Sequence, residues 1–231
     1  MDTLSLIHQR KSLRAYADRP VSGEVREKVL QAALRAPTAG ALMLYSIIEI
    51  ELPELKEALS HTCDEQPFIA KAPWLVLFAA DYQRLYDAWR QSGFEPKRKP
   101  GAGDLFLACS DSLIAAQTAV IAAEALGLGS CYIGDIIENA EKQRELLSLP
   151  DYVFPAALIC FGYPPDDDDR KETSRLPLEA VVHKDRYTPK AWLDSDHATA
   201  VMRRGLTKFE ADFSIEMTRS MEVWLEKWRR K

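Results

Sequence analysis

Short apolar runs alternate along the chain with stretches whose apolar residues recur at helical spacing. The short runs are rich in branched and aromatic residues and lie beside prolines or glycines, a pattern typical of buried strands. The first helical stretch begins at Ser22, a good N-cap residue, and stops at Pro37. The pattern predicts further helices at residues 54–60, 68–71, 104–126 and 138–147, and strands at residues 46–50, 74–80, 130–133 and 153–163. We therefore expect an α+β fold with a mixed central sheet flanked by helices.

The predicted helix at residues 104–126 is unusual because its apolar residues cover more than one face, as Leu105, Leu113 and Val120 show. A helix that is apolar nearly all round must be buried nearly all round. In a chain of this size a second copy most easily covers the side that the sheet leaves open. The first structural hypothesis is therefore a homodimer built on a long central helix.

Composition narrows the class of protein. The 231 residues include 47% hydrophobic and 28% charged residues, which is typical of a folded globular chain. The formal net charge of −5 argues against a nucleic-acid binder. The longest stretch without charge, residues 152–165, contains Pro155 and Gly162, so we expect no membrane span, and residues 1–7 do not resemble a secretory signal. The four cysteines have no C-x-x-C spacing, so we expect reduced, mostly buried thiols in a cytoplasmic protein.

After residue 163 the chain becomes more polar and more highly charged. Four consecutive aspartates at residues 166–169 indicate a solvated loop. A metal site is the alternative, but consecutive carboxylates point in different directions, and we expect none. We place a domain boundary at residue 189, with residues 190–231 as a helical extension in which Trp224 and Trp228 share a face. The extension would pack either on its own domain or on a partner subunit.

The motifs of hydrolases, phosphoryl-transfer enzymes and dinucleotide-binding folds are absent from the sequence, and the four histidines are far apart. The remaining candidate chemistry is a basic cluster near the N-terminus, Arg10-Lys11-Ser12-Leu13-Arg14. One interpretation is an ordinary charged helix end. The other is a phosphate clamp, because alternate residues of an extended segment lie on one side and would present two forked guanidinium groups and a hydroxyl.

Four segments, in order, resemble the FMN-dependent nitroreductase family, and most closely its NADPH nitroreductase and flavin reductase branch. The similarity extends over residues 4–187. The segments are Arg10-Lys11-Ser12-Leu13-Arg14-Ala15-Tyr16; Ala36-Pro37-Thr38-Ala39-Gly40; Ala125-Leu126-Gly127-Leu128-Gly129-Ser130-Cys131-Tyr132-Ile133-Gly134; and Phe161-Gly162-Tyr163-Pro164, followed by Arg175-Leu176-Pro177.

This resemblance implies two interlocked chains, a sheet of four or five strands, and an FMN in each of two pockets built from both subunits. It implies that the flavin carries the chemistry, so the protein supplies no catalytic side chain of its own. The resemblance implies that the cofactor-binding residues are Arg10, Lys11, Ser12, Arg14, Thr38, Gln66, Tyr132, Ile133, Gly134 and Arg175.

The implied activity is the use of NAD(P)H to reduce nitroaromatics, quinones or free flavin by hydride transfer in a ping-pong scheme. Two alternatives stay open at this point. The same fold hosts dehalogenating and flavin-fragmenting enzymes, and the chain could also be a flavin-binding module without reductase activity.

The sequence departs from the family in two places. Ala41 and Met43 stand where many members carry polar residues after the Ala-Pro motif, which supports the alternative of a non-reductase module. The family's Lys-Pro-Arg is replaced by Lys171-Glu172-Thr173-Ser174-Arg175. The residue that joins Arg175 at the phosphate is therefore left open.

Overall fold

The computed structural model describes residues 2–94, 97–173, 175–189, 219, 221–223, 225 and 226. The four strands are β1 (Tyr45–Ile50), β2 (Trp74–Asp81), β3 (Gly129–Ile133) and β4 (Val153–Gly162). The helices are α1 (Thr3–Gln9), α2 (Gly23–Ala33), α3 (Pro53–Thr62), α4 (Pro67–Ala70), α5 (Gln83–Gln91), α6 (Ala102–Ala125), α7 (Ala140–Leu146) and α8 (Leu178–Val181). Single 3₁₀ turns lie at Ala39–Ala41 and Gly134–Ile137.

The four strands form one sheet in the order β1-β2-β4-β3, and every neighbouring pair is antiparallel. The parallel contribution is a single bridge between Ser12 and Ser130, where the N-terminal segment runs beside β3. The predicted α+β class is confirmed, and the four predicted strands match the observed ones to within a residue or so at most ends. The predicted N-cap at Ser22 is also present, since its side chain accepts a hydrogen bond from the Val25 backbone N–H.

Helices cover both faces of the sheet, which explains why β2 and β4 are apolar at almost every position. Along β2, Trp74, Val76 and Phe78 belong to a core shared with α2 and α6. Leu75 and Leu77 alternate with them and pack on the opposite side, in a core that includes α3 and α4 residues. The strand is therefore buried along its whole length, with successive side chains entering different cores.

α6 is the long central helix that the sequence predicts, and it packs against α2, β2 and β4. Its small residues face the sheet, and four large apolar residues on it stay exposed in the single chain. Its length and composition would allow it to cross a membrane, although core helices of folded domains pass the same test, and 44% of the qualifying window is buried in the single chain. The exposed residues are Phe106, Leu107, Leu113 and Ile114.

The segment after α1 lies along the sheet because glycines let it approach. The Leu13 N–H donates to the Ser130 carbonyl at 2.8 Å, and Leu13 is 1% exposed. A Cβ at Gly129 would lie 2.8 Å from Leu13 Cδ2, so this close approach requires glycine. The buried Leu13 side chain thus fixes the course of the basic cluster on either side of it.

Most of the predicted extension at residues 190–231 lies outside the described residues, including Trp224 and Trp228. The described positions 219, 221–223, 225 and 226 are helical. Met221 and Leu225 pack against a third core that contains Leu105 and Phe154 of the same chain.

Candidate cofactor-binding site

The basic cluster forms one wall of a polar pocket of about 210 Å³, which we call the basic pocket. Because Leu13 is buried in the sheet, its neighbours on the extended segment turn away from the core. The opposite wall comes from the loop after β4. The lining residues are Ile7, His8, Arg10, Lys11, Ser12, Glu172, Thr173 and Arg175. The fold therefore brings Arg175 beside the N-terminal cluster, although more than 160 residues separate them in sequence.

A reciprocal pair of hydrogen bonds fastens the aspartate-rich loop to the basic cluster. Lys11 Nζ donates to the Arg170 carbonyl at 2.6 Å, and Arg170 Nη1 donates to the Lys11 carbonyl at 2.6 Å. The rest of the Arg170 guanidinium binds Asp168, with Nε and Nη2 donating to the two carboxylate oxygens at 2.7 and 2.8 Å. Asp168 is thus paired with Arg170, and this pairing lowers the pKa of its carboxyl. Arg170 and Lys11 position this wall of the pocket.

Glu172 is the unexpected member of the basic pocket, because it places a carboxylate among Arg10, Lys11 and Arg175. Of the residues that the sequence left open, Glu172 and Thr173 line the pocket, while Lys171 is not part of its lining. A phosphate group fits this set of residues, since three cations and the Ser12 hydroxyl line one small polar space.

A half-buried carboxylate, Glu124, lines a small neighbouring cavity together with Arg10. Burial raises the pKa of Glu124, while Arg10 and Arg170 act in the opposite direction. Ser130 donates its hydroxyl to Glu124 Oε1 at 3.4 Å. The charge of Glu124 therefore offsets part of the positive charge of Arg10 and Arg170 from the protein side.

Arg14 lies on a different opening, which we call the outer cavity. This space of about 660 Å³ is lined by two short segments, residues 14–20 and the α4 region. The Arg14 guanidinium carbon is 5.9 Å from the centroid of the Phe68 ring, within the range of a cation–π contact. Arg14 thus extends from the basic cluster toward a second, larger space.

Gln66 connects the start of α4 to the turn after β3. Its Nε2 donates to the Cys63 carbonyl and to Asp135 Oδ2, each at 2.8 Å. Asp135 directly follows Gly134 in the 3₁₀ turn Gly134–Ile137, so Gln66 and the Ile133–Gly134 peptide are held in one neighbourhood. Their assignment as flavin contacts stays a prediction.

Two predicted site residues direct their side chains toward α6. The Tyr132 hydroxyl donates to Gln117 Oε1 at 3.3 Å, and burial raises the pKa of that hydroxyl. The Thr38 hydroxyl donates to Asp111, a carboxylate that is 3% exposed. Neither residue lines the basic pocket or the outer cavity of this chain.

Asp111 anchors the loop at residues 38–44, which carries unusual backbone angles. Besides the Thr38 hydroxyl, it accepts the backbone N–H groups of Ala39 at 3.0 Å and Leu44 at 3.2 Å. Ala41 and Met43 have φ values of 56° and 50°, in the left-handed region that non-glycine residues seldom adopt. The departure from the family noted at these two positions therefore lies in a strained loop that one buried carboxylate holds.

Sequence reasoning did not identify Asp111, Arg170 or Phe68. A lone carboxylate within an otherwise apolar stretch of α6 was a visible signal for Asp111, because buried charges require partners. Nothing in the order of residues distinguished Arg170 from the neighbouring Lys171. Within the part of the chain that the structure describes, no group of three or more histidine, cysteine or acidic residues could hold a metal ion.

The fold places a phosphate-sized cationic pocket and a larger cavity along one extended segment. This arrangement suits the binding of a phosphorylated cofactor. The nitroreductase family model matches residues 7–163, and the chain belongs to the nitroreductase family. The family and the fold predicted from the sequence are thus confirmed.

Two named relatives are similar in sequence. The oxygen-insensitive NADPH nitroreductase of Salmonella typhimurium is 37% identical over 188 residues, covering 81% of this chain and 75% of that protein. The FMN reductase [NAD(P)H] of Bacillus subtilis is 34% identical over 187 residues, covering 80% and 74% of the respective chains.

Solved structures with the same fold include NfrA1 nitroreductase from Bacillus subtilis, with a TM-score of 0.79, 29% identity, and coverage of 95% of this chain and 86% of that one. The NADPH:FMN oxidoreductase from Vibrio harveyi complexed with NAD⁺ has a TM-score of 0.81, 26% identity, and coverage of 94% and 97%.

Proposed function

We propose that this chain is an FMN-dependent oxidoreductase that uses NAD(P)H to reduce nitroaromatics, quinones or free flavin. The observation that carries the proposal is the basic pocket, which unites Arg10, Ser12 and Arg175 around one small polar space that suits the cofactor phosphate. FMN, when bound, supplies the hydride chemistry of the family. The names of the relatives from Salmonella typhimurium and Bacillus subtilis support the same reaction class.

The chain's own residues bind and orient the cofactor. Arg10, Ser12 and Arg175 would hold the phosphate, while Lys11 and Arg170 keep the two walls of the pocket together. Arg14, on the same extended segment as Arg10 and Ser12, lines the outer cavity, where the flavin ring and the second substrate would meet. The Gln66–Asp135 hydrogen bond would steady the turn at Gly134 near the ring.

We propose that the second copy of this chain completes the site. The exposed apolar residues of α6 form a face whose burial would be favourable, and the loop at residues 38–44 lines neither the basic pocket nor the outer cavity. In the proposed homodimer, this loop, including Thr38, would contact the partner's flavin. Sedimentation velocity tests the dimer, and a monomer at all concentrations would contradict it.

We further propose that residues 1–189 form the cofactor-binding domain and residues 190–231 a helical extension. The four free cysteines are typical of a reducing compartment and support a cytoplasmic location. The partners of the protein would then be its second copy and small oxidants, with no role for nucleic acid or a membrane.

Two substitutions with opposite expected effects on FMN affinity test whether the basic pocket binds the cofactor phosphate. Arg175→Ala should weaken FMN binding by about 1.5 to 3 kcal/mol, the range of hydrogen bonds to charged groups. Glu172→Gln should tighten FMN binding, because it removes a negative charge from the phosphate's surroundings. Fluorescence quenching of FMN on titration with each variant measures both effects, with Glu179→Gln on α8 as the control. Unchanged affinity in both pocket variants would contradict the assignment.

Activity is tested by stopped-flow reduction of the reconstituted enzyme. Rapid bleaching of the flavin absorbance by NADPH or NADH is the expected result. Protein that binds FMN but is not bleached by either would be a flavin-binding module. Bleaching without turnover of a nitroaromatic, quinone or flavin panel would point to the dehalogenating or flavin-fragmenting alternative.

A further inference from the structure

The outer cavity is lined by positively charged side chains that are not needed to bind the FMN phosphate. Besides Arg14, two cations line it, Arg19 and Lys71, and they face a single carboxylate, Asp18. Within the described residues, none of the three cations forms an ion pair with a carboxylate. The cavity therefore has a net positive charge that is left for a ligand.

The positions of the two arginines are restricted by aromatic rings. The Arg19 guanidinium carbon lies 3.8 Å from the centroid of the Tyr163 ring, and Arg14 lies over Phe68. A guanidinium stacked on a ring keeps its N–H groups directed outward in its own plane, where they suit a bidentate phosphate or carboxylate. Phe68 and Tyr16 add aromatic surface to the same cavity.

We propose that the outer cavity binds the phosphates of the nicotinamide dinucleotide, with Arg19 and Lys71 as their ligands. The inference rests on the function proposed above and names where the reducing substrate is held. The volume of about 660 Å³ falls within the range of about 300 to 1,000 Å³ typical of small-molecule sites. A quinone or a neutral nitroaromatic would not use these cations, whereas the dinucleotide is anionic and carries aromatic rings.

The connection to the flavin is made by Arg14. It is part of the basic cluster assigned to the cofactor, and its side chain lines the outer cavity. A dinucleotide bound by Arg19 and Lys71 would thus have its phosphates at one end of a space that begins at the cofactor. Asp18 opposes this binding and limits the affinity for the product.

The test uses the FMN-loaded, full-length enzyme with Arg19→Gln, Lys71→Gln and the double variant. Lys142→Gln, an exposed cation on α7 far along the chain, is the matched control. With a neutral quinone as oxidant, the KM for NADPH should rise about three- to tenfold for each charge removed, while kcat at saturation stays within about twofold. Asp18→Asn should lower that KM.

Inorganic pyrophosphate provides a readout that does not depend on hydride transfer. It should compete with NADPH in the wild type and bind more weakly to the double variant in calorimetry. A larger effect on NADPH than on NADH would place the 2′-phosphate in the cavity, and equal effects would place the pyrophosphate there. In the double variant, a KM and pyrophosphate affinity within twofold of the Lys142→Gln values would overturn the proposal. A wild type whose bound FMN is not reduced by either nucleotide would instead overturn the proposed function and this assignment with it.

Discussion

Replacement of Asp111 by asparagine tests how the strained loop at residues 38–44 is held. The carboxylate accepts three hydrogen bonds, from the Thr38 hydroxyl and from the backbone N–H groups of Ala39 and Leu44. Asparagine has the same shape but one acceptor oxygen, and its amide group would face at least one of these donors. Asp111→Asn therefore leaves a buried N–H without its acceptor and removes the charge assistance from the other bonds.

The size of the effect follows from these contacts. An unsatisfied buried donor costs about 1 to 3 kcal/mol, and loss of charge on the remaining two bonds costs roughly 1 kcal/mol each. Relief of a desolvated charge recovers part of this energy. We expect a net loss of about 2 to 4 kcal/mol in the free energy of unfolding, together with loosening of the loop, because Ala41 and Met43 would then be free to leave their left-handed angles.

Urea titration followed by circular dichroism measures the loss, with all variants at one protein concentration because self-association shifts the midpoint. Asp167→Asn is the matched control, since it makes the same chemical change at an exposed carboxylate. Chymotrypsin cleavage after the exposed Leu42 reports on the loop itself. An Asp111→Asn variant with the stability of Asp167→Asn and unchanged cleavage would refute the reasoning.

Two further predictions concern packing and thiols. Gly162→Ala should lower the free energy of unfolding by about 1 to 3 kcal/mol, because the added Cβ would lie 2.5 Å from Tyr16 Cδ1. The control is Gly103→Ala, whose Cβ meets nothing within 4 Å, so this variant should be neutral or slightly stabilising in the same urea titration. Equal effects of the two substitutions on stability would be inconsistent with this packing. Burial raises the pKa of the Cys63 and Cys160 thiols from 9.0 to about 12, so both should resist iodoacetamide at pH 8 in the folded protein and react in urea. Because these folded-state pKa values are raised, the stability they contribute is complete below about pH 9 and should decline as pH rises from 9 toward 12; stability that increases across that range would contradict the burial of the thiols.

Much of the architecture could be predicted from local sequence. Strands β2 and β4 are short continuous apolar runs, and α6 is an apolar stretch too long for a strand, so their type and approximate bounds follow from pattern alone. α1, α5 and α8 were not predicted, although α5 is strongly amphipathic and places Leu85, Tyr86 and Trp89 against the third core. The basic cluster was visible for the same local reason, since its five residues are consecutive.

The composition of the site was decided by tertiary structure. The amino-acid sequence by itself determined the family, through its resemblance in four motifs, and it determined the individual strands and the cations near the N-terminus, because consecutive residues and hydrophobic periodicity are local properties of the chain. Only the fold showed that Arg170 rather than Lys171 fastens the loop to Lys11, that Glu172 enters the basic pocket, and that Arg14 turns toward a second cavity. Such pairings depend on how the loop after β4 packs against the N-terminal segment. Contacts between residues so far apart in sequence cannot be inferred from the residues next to them in the chain.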